Sequence, residues 1–168
     1  MPDRPVGYSR SQIWLHWVIA ALILFQLVVH DGMSDAWDDR ADGERIREGL
    51  GWAYLHIAVG VTVLLLAVAR FYIRLARGVP PAHRDKPAPL IWLGTATHAA
   101  LYVLIFAMPV TGAAAWFGRA EEAADIHETL RTVLVILVGL HVLGALGEHF
   151  VFRNDTLMRM LGWPRSAQ

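Results

Sequence analysis

Four histidines, His16, His56, His127 and His141, stand inside long apolar stretches. An ionisable side chain at membrane depth is costly and is a functional hypothesis by default. His127 and His141 lie fourteen positions apart in one stretch. At 3.6 residues per turn that is just under four turns, so the two rings face the same way to within about 40° and stand roughly 21 Å apart along the axis. Neutral imidazole is a ligand for zinc, copper, iron and nickel, so two metal centres stacked across a membrane are the chemistry this spacing permits. Taken singly, each histidine has a second reading as a hydrogen-bonding group between membrane helices.

The elements that must position them are apolar runs. Of 168 residues, 55% are hydrophobic, and they are concentrated rather than dispersed. Residues 12–29, 49–69, 87–118 and 132–147 contain no Asp, Glu, Lys or Arg. A helix needs about 20 mostly apolar residues to cross the hydrocarbon layer. The expectation is an all-α membrane protein, a four-transmembrane-helix bundle in a lipid bilayer. It forms a single domain over 1–168, with spans at about 12–30, 50–70, 90–117 and 127–150. The first run is too long for a signal peptide and lacks a small-residue cleavage site. Pro109 and Gly112 fall inside the third span, where proline is tolerated as a kink. Trp14, Trp17, Trp52, Trp92, Trp116 and Trp163 lie near span ends, as an interfacial aromatic belt requires.

Composition excludes several classes. There is no cysteine, hence no disulfide, no thiolate-held iron–sulfur cluster and no haem attached through C-x-x-C-H. Formal net charge is zero, which argues against nucleic acid as a partner. No Gly-rich phosphate loop, internal repeat or low-complexity stretch occurs.

Charges between the spans give a direction. Segment 31–48 reads as an acidic loop, with Asp31, Asp35, Asp38, Asp39, Asp42, Glu44 and Glu48 against Arg40, Arg45 and Arg47. Segment 70–86 reads as a basic loop (Arg70, Arg74, Arg77, Arg84, Lys86), and 119–128 is acidic again. The tails carry Arg4, Arg10, Arg153, Arg159 and Arg165. The excess of Lys and Arg places both termini and the 70–86 segment in the cytoplasm.

Direction turns spacing into depth. His16 begins an outgoing span and is cytoplasmic; His56 begins an incoming span and is periplasmic. His127 begins the fourth span outside, and His141 lies deeper, towards the cytoplasm. Depth therefore pairs His56 with His127 and His16 with His141. Two ligands are too few for zinc, which usually takes four. A haem supplies four nitrogens itself and needs one or two axial ligands, so two histidines on separate helices suit bis-histidine b-type haem. Ala20, Gly60, Gly144 and Ala145 follow their histidines by three or four positions, on the same helix face, and leave room for a flat macrocycle.

Secondary positions have open roles. His98, early in the third span, could bond a haem propionate or a quinone, or simply pack. His149 could be a further ligand in place of His141, a quinone-site residue or an interfacial group. Arg70 and Arg131, near span ends, could pair with propionates or snorkel. His30 reads as interfacial and His83 as solvated.

These residues resemble the bacterial cytochrome b561 family, related to the b-type cytochrome subunits of nickel–iron hydrogenases and formate dehydrogenases. The matching stretches run in order over nearly the whole chain. They are Tyr8-Ser9-Arg10 with Ile13-Trp14-Leu15-His16-Trp17, Leu55-His56-Ile57 with Gly60, and Thr97-His98-Ala99-Ala100-Leu101-Tyr102. Pro109-Val110-Thr111-Gly112, Ile126-His127-Glu128-Thr129-Leu130, Gly139-Leu140-His141 and His149 with Asp155-Thr156-Leu157-Met158-Arg159-Met160 follow. The resemblance implies a multi-pass protein of the bacterial inner membrane with two haem b groups. It implies His16 and His141 as ligands of the inner haem, and His56 and His127 as ligands of the outer one. It also implies electron transfer from a periplasmic donor to membrane quinone, with ubiquinone as acceptor. Some members resemble superoxide oxidases, which implies superoxide:ubiquinone oxidoreductase activity as one form of the function. The alternative is a cytochrome b electron-transfer subunit of a partner dehydrogenase or hydrogenase. Two departures stand out. Glu148-His149 occupies the place of a His-His pair in the family. The periplasmic segments are acidic, although superoxide is an anion that a positive surface would steer.

Overall fold

Four helices in this chain are long and apolar enough to cross a membrane. The computed structural model describes residues 7–43, 49–81 and 87–163. Along the chain run α1 (Arg10–Val28), α2 (Asp31–Ala41), α3 (Leu50–Arg77), α4 (Ala88–Gly118), α5 (Glu121–Phe150) and α6 (Thr156–Met160). Within the most apolar window of each long helix only 6% to 17% of residues are buried, so the apolar surface faces outward. A soluble protein does not carry such a surface, and the chain is a multi-pass membrane protein.

The bundle is sequential. α1 packs on α3, α3 on α4, and α4 most extensively on α5; α2 lies on α3 and α6 on α5. Lipid is as apolar as leucine, so membrane helices associate through close packing and small residues. Ala53 and Ala67 are almost wholly buried where α3 meets its neighbours. Ile19, Val63 and Ala67 form a core with Leu22, Val59, Ile105 and Phe106 around them.

Capping explains where the helices begin. Ser9 accepts a hydrogen bond from the Gln12 amide (3.3 Å), and the Gln12 side chain accepts one from the Ser9 amide (2.9 Å). Gln12 Nε2 also donates to the Gly78 carbonyl (3.0 Å), and Arg70 Nη1 donates to the Gln12 carbonyl (2.5 Å). The start of α1 is thereby tied to the end of α3. Gly49 precedes α3 with φ +82°, and a Cβ there would meet the Gly32 carbonyl. This close approach lets α2 lie over the end of the bundle.

The sequence expectations need several corrections. The acidic segment 31–48 is not all loop: α2 occupies Asp31–Ala41. Arg70, Arg74 and Arg77 belong to α3, which runs beyond the expected end at residue 70. α5 begins at Glu121, six residues before the expected start. Helix α4 continues through Pro109, with Thr111 Oγ1 bonding back to the Ala107 carbonyl at 3.0 Å. Trp116 is 4% exposed and packs with Ala36 and Ala53, so it does not belong to a lipid-facing belt. Arg40 covers it, with the guanidinium 4.7 Å from the ring centre and Nε donating to the Trp116 carbonyl. His83, the charged residues Asp3, Arg4, Glu44, Arg45, Arg47, Glu48, Arg84, Asp85 and Lys86, and Arg165 lie outside the described residues.

Candidate functional site

The bundle has two ends, marked by α2 and by α6, and each holds one histidine pair. Towards α2, the rings of His56 (α3) and His127 (α5) stand with centres 6.2 Å apart and planes 69° apart. Towards α6, His16 (α1) and His141 (α5) stand 6.1 Å apart with planes at 70°. Residues expected at matching depth are therefore brought together, and each pair joins two different helices. The Ile19–Val63–Ala67 core lies between the levels along the helix axes.

Half of either separation, about 3 Å, accommodates one imidazole radius plus a metal–nitrogen bond of about 2.0 Å. One metal atom thus fits between the rings of each pair. Among the described residues no three His, Asp or Glu side chains gather to hold a metal ion. The donor set suits a group that brings its own equatorial ligands, as haem does, and not a bare structural zinc.

The two levels are built differently. His127 Nδ1 lies 3.0 Å from the Met108 carbonyl, to which it donates, and 3.1 Å from Thr111 Oγ1. With its proton on Nδ1, the ring keeps the Nε2 lone pair available for a metal. Gly112 makes this possible: a Cβ there would sit 3.1 Å from His127 Cε1. Gln26 Nε2 donates to the His56 carbonyl (3.0 Å), and His56 Nδ1 is buried with no hydrogen-bond partner among the described residues. A pocket beside this pair is walled by Gly60, Met108, Pro109 and Leu134, with Arg131 and His30 at its side. Arg131 also faces Glu128 at 3.7 Å.

At the other level rings contact rings. His98 lies 5.0 Å from His141, and Trp17 lies 5.2 Å from His16. His98 Nδ1 donates to the Gly94 carbonyl at 2.7 Å, which fixes the ring on α4. Arg70 lies near this pair but is engaged by the Gln12 carbonyl. His149 stands further along α5; its Nδ1 is buried with no hydrogen-bond partner among the described residues, and its ring meets Phe150 at 4.9 Å.

Four positions gain a place at the site that spacing did not reveal. Gln26 and His30 lie at the pocket beside His56, and Met108 and Thr111 hold His127. Gln26 carried a signal, being an amide in an otherwise apolar run. Met108 acts through its backbone carbonyl, which no side-chain pattern announces.

Known proteins place the chain. A model of the family described as prokaryotic cytochrome b561 matches residues 7–163. Cytochrome b562 of Cereibacter sphaeroides is 32% identical, covering 92% of this chain and 95% of that protein. A probable superoxide oxidase CybB of Yersinia pestis is 30% identical, over 92% and 95%. Cytochrome b561 homolog 2 of Escherichia coli K12 is 30% identical, over 95% and 94%.

Proposed function

The chain belongs to the prokaryotic cytochrome b561 family, a family of haem b membrane electron-transfer proteins, and from that premise we propose a di-haem carrier. It passes electrons from a periplasmic donor to membrane quinone. In this reading residues 1–168 act as one unit in the bacterial inner membrane, with both tails cytoplasmic. The observation that carries it is the pair of two-histidine levels, with ring separations of 6.2 and 6.1 Å.

His56 and His127 would hold one haem b, and His16 and His141 the other. When bound, haem supplies reversible one-electron chemistry at iron, tuned by its axial ligands, their hydrogen bonds and burial. The chain supplies the rest. Met108 and Thr111 fix the tautomer and direction of His127. Ile19, Val63 and Ala67 keep water out of the layer between the levels. Arg131 stands beside the pocket at the α2 level, where a haem propionate would find a cation. Arg70 offers the same at the α6 level, through a guanidinium that already anchors Gln12. His98 and His149 mark the end at which ubiquinone would receive electrons. Each ubiquinone takes up two electrons and two protons to become the quinol.

Charge supports the orientation. Arg10, Arg70, Arg74, Arg77, Arg153 and Arg159 gather towards α6. Exposed Asp35, Asp38, Asp42, Glu121, Glu122, Asp125 and Glu128 gather towards α2. By the excess of cations, the α6 end is cytoplasmic.

The Yersinia pestis relative brings superoxide into view as the donor. The acidic α2 end does not steer an anion, so a neutral or cationic donor is favoured. Stopped-flow mixing decides between them. Haem reduction by superoxide above the buffer control, followed by reoxidation with ubiquinone, supports a superoxide oxidase; no reduction above control removes superoxide as donor. The reading as a whole is tested by the absorption spectrum and iron content of the purified protein.

A further inference from the structure

The two histidines of the α2 level differ in what the second ring nitrogen meets. His127 Nδ1 donates to the Met108 carbonyl at 3.0 Å. His98, on α4, shows another arrangement, with Nδ1 bonded back to the Gly94 carbonyl one turn earlier. His56 does neither, and its Nδ1 is buried with no hydrogen-bond partner among the described residues. A histidine that binds metal through one nitrogen almost always donates the other N–H to an acceptor. A buried N–H left unpaired costs about 1–3 kcal/mol. Once His56 Nε2 is committed to iron, its Nδ1–H therefore calls for an acceptor.

Gln26 carries such an acceptor to the same place. It is an amide flanked by apolar residues on both sides, 18–25 and 27–29, in the last turn of α1. Its Nε2 donates to the His56 carbonyl at 3.0 Å, which joins α1 to the ligand-bearing turn of α3. Only an N–H can make that bond, so the other end of the amide is the oxygen. Gly60, one turn beyond His56, leaves the amide its space, since a Cβ there would stand 3.6 Å from Nε2. Gln26 Oε1 is buried, again with no hydrogen-bond partner among the described residues, and Gln26 and His56 line one pocket. A donor and an acceptor, each unpaired, thus stand on two residues that are already bonded to each other. We propose that Gln26 is the positioning residue of His56, accepting the Nδ1–H bond at Oε1 when Nε2 is on iron. This rests on the reading of His56 as a haem ligand and adds what holds its ring. An acceptor on Nδ1–H makes imidazole a stronger donor to iron, which favours the ferric state and lowers the potential of that haem. Both ligands of the α2 level are then supported, His127 by Met108 and His56 by Gln26, and the haem there gives up its electron more readily.

Redox titration of the haem-loaded protein, followed optically and by electron paramagnetic resonance of the ferric state, tests the role in Gln26→Leu and Gln26→Met. Both variants remove the acceptor, and methionine keeps the length of the side chain. The α2-level haem is identified as the signal that His127→Ala removes. Its potential is expected to rise by about 59 mV, the equivalent of a tenfold loss of preference for the ferric state in a one-electron couple. Its largest g value should change as well. The α6-level haem is the internal control and should keep its potential and g values. Haem content that falls while the remaining α2-level haem keeps its wild-type potential would show that Gln26 only ties α1 to α3, and overturns the proposal. Equal shifts at both levels overturn it too. Haem bands in the wild-type protein with unmoved potentials in both variants count against Gln26 alone; absence of those bands overturns the haem reading itself.

Discussion

The level near α2 and the level near α6 share a plan, two imidazoles from two helices, and differ in what holds the rings. At the α2 level His127 is fixed by hydrogen bonds to Met108 and Thr111, in a space that Gly112 leaves open. At the α6 level, among the described residues, no side-chain hydrogen bond holds His16 or His141, and neighbouring rings of Trp17 and His98 contact them instead. A hydrogen-bonded ligand has its tautomer and direction set in advance. A ligand held by ring contacts is set by its neighbours, and here the neighbouring ring of His98 also lines a cleft between α3 and α4. In the proposed reading, the first level suits a fixed entry point and the second an exchange point.

The largest effect should come from removing a ligand on one side only. His127→Ala is expected to abolish haem at the α2 level and retain it at the α6 level, halving iron per chain. Loss of both haems, or of neither, would break the independence of the levels. Gly112→Leu comes next. Its side chain would invade the space of the His127 ring, since even a Cβ would approach to 3.1 Å. Nearly the same one-level loss should appear, read as a halved α-band in the haemochrome spectrum. Gly112→Ala should do less, because a shift of a few tenths of an ångström relieves it.

Thr111→Val separates orientation from ligation. The Met108 carbonyl still holds Nδ1, so the expected drop in haem affinity is about tenfold, the low end for a lost supporting bond. Competition with apomyoglobin measures it, and an equal drop at both levels would contradict the asymmetry. Gln12→Leu sharpens the other side. Gln12 is 4% exposed and bridges Ser9 to Gly78 one turn before His16. Its loss removes the donor to the half-buried Gly78 carbonyl and should cost about 1 kcal/mol, seen as a lower Tm by circular dichroism in detergent. Unchanged stability would show that this tie does not hold α1 in place.

The juxtaposition of the four histidines was legible in the sequence because charge-free runs reveal spans and helical pitch converts spacing into depth. The four long helices were legible for the same reason. Helix α2 was not, since a short acidic segment reads as loop until Ala36 and Gly49 show how it packs on α3. Arg70, Arg74 and Arg77 read as part of a basic loop, yet long cationic side chains can extend from a helix that continues. Trp116 misled in the opposite direction. Its place near a span end suggested lipid, and only the return of Arg40 over its ring shows that it is covered. The cleft depends on which faces of α3 and α4 meet, and neither helix alone specifies that.

The central claim is that each level holds one haem. The direct measurement is the absorption spectrum of the purified protein, taken with iron counted per chain. The account predicts a Soret band, α bands of b-type haem and two irons per chain. A protein that purifies folded without those bands, or that saturates at one iron per chain, would contradict it.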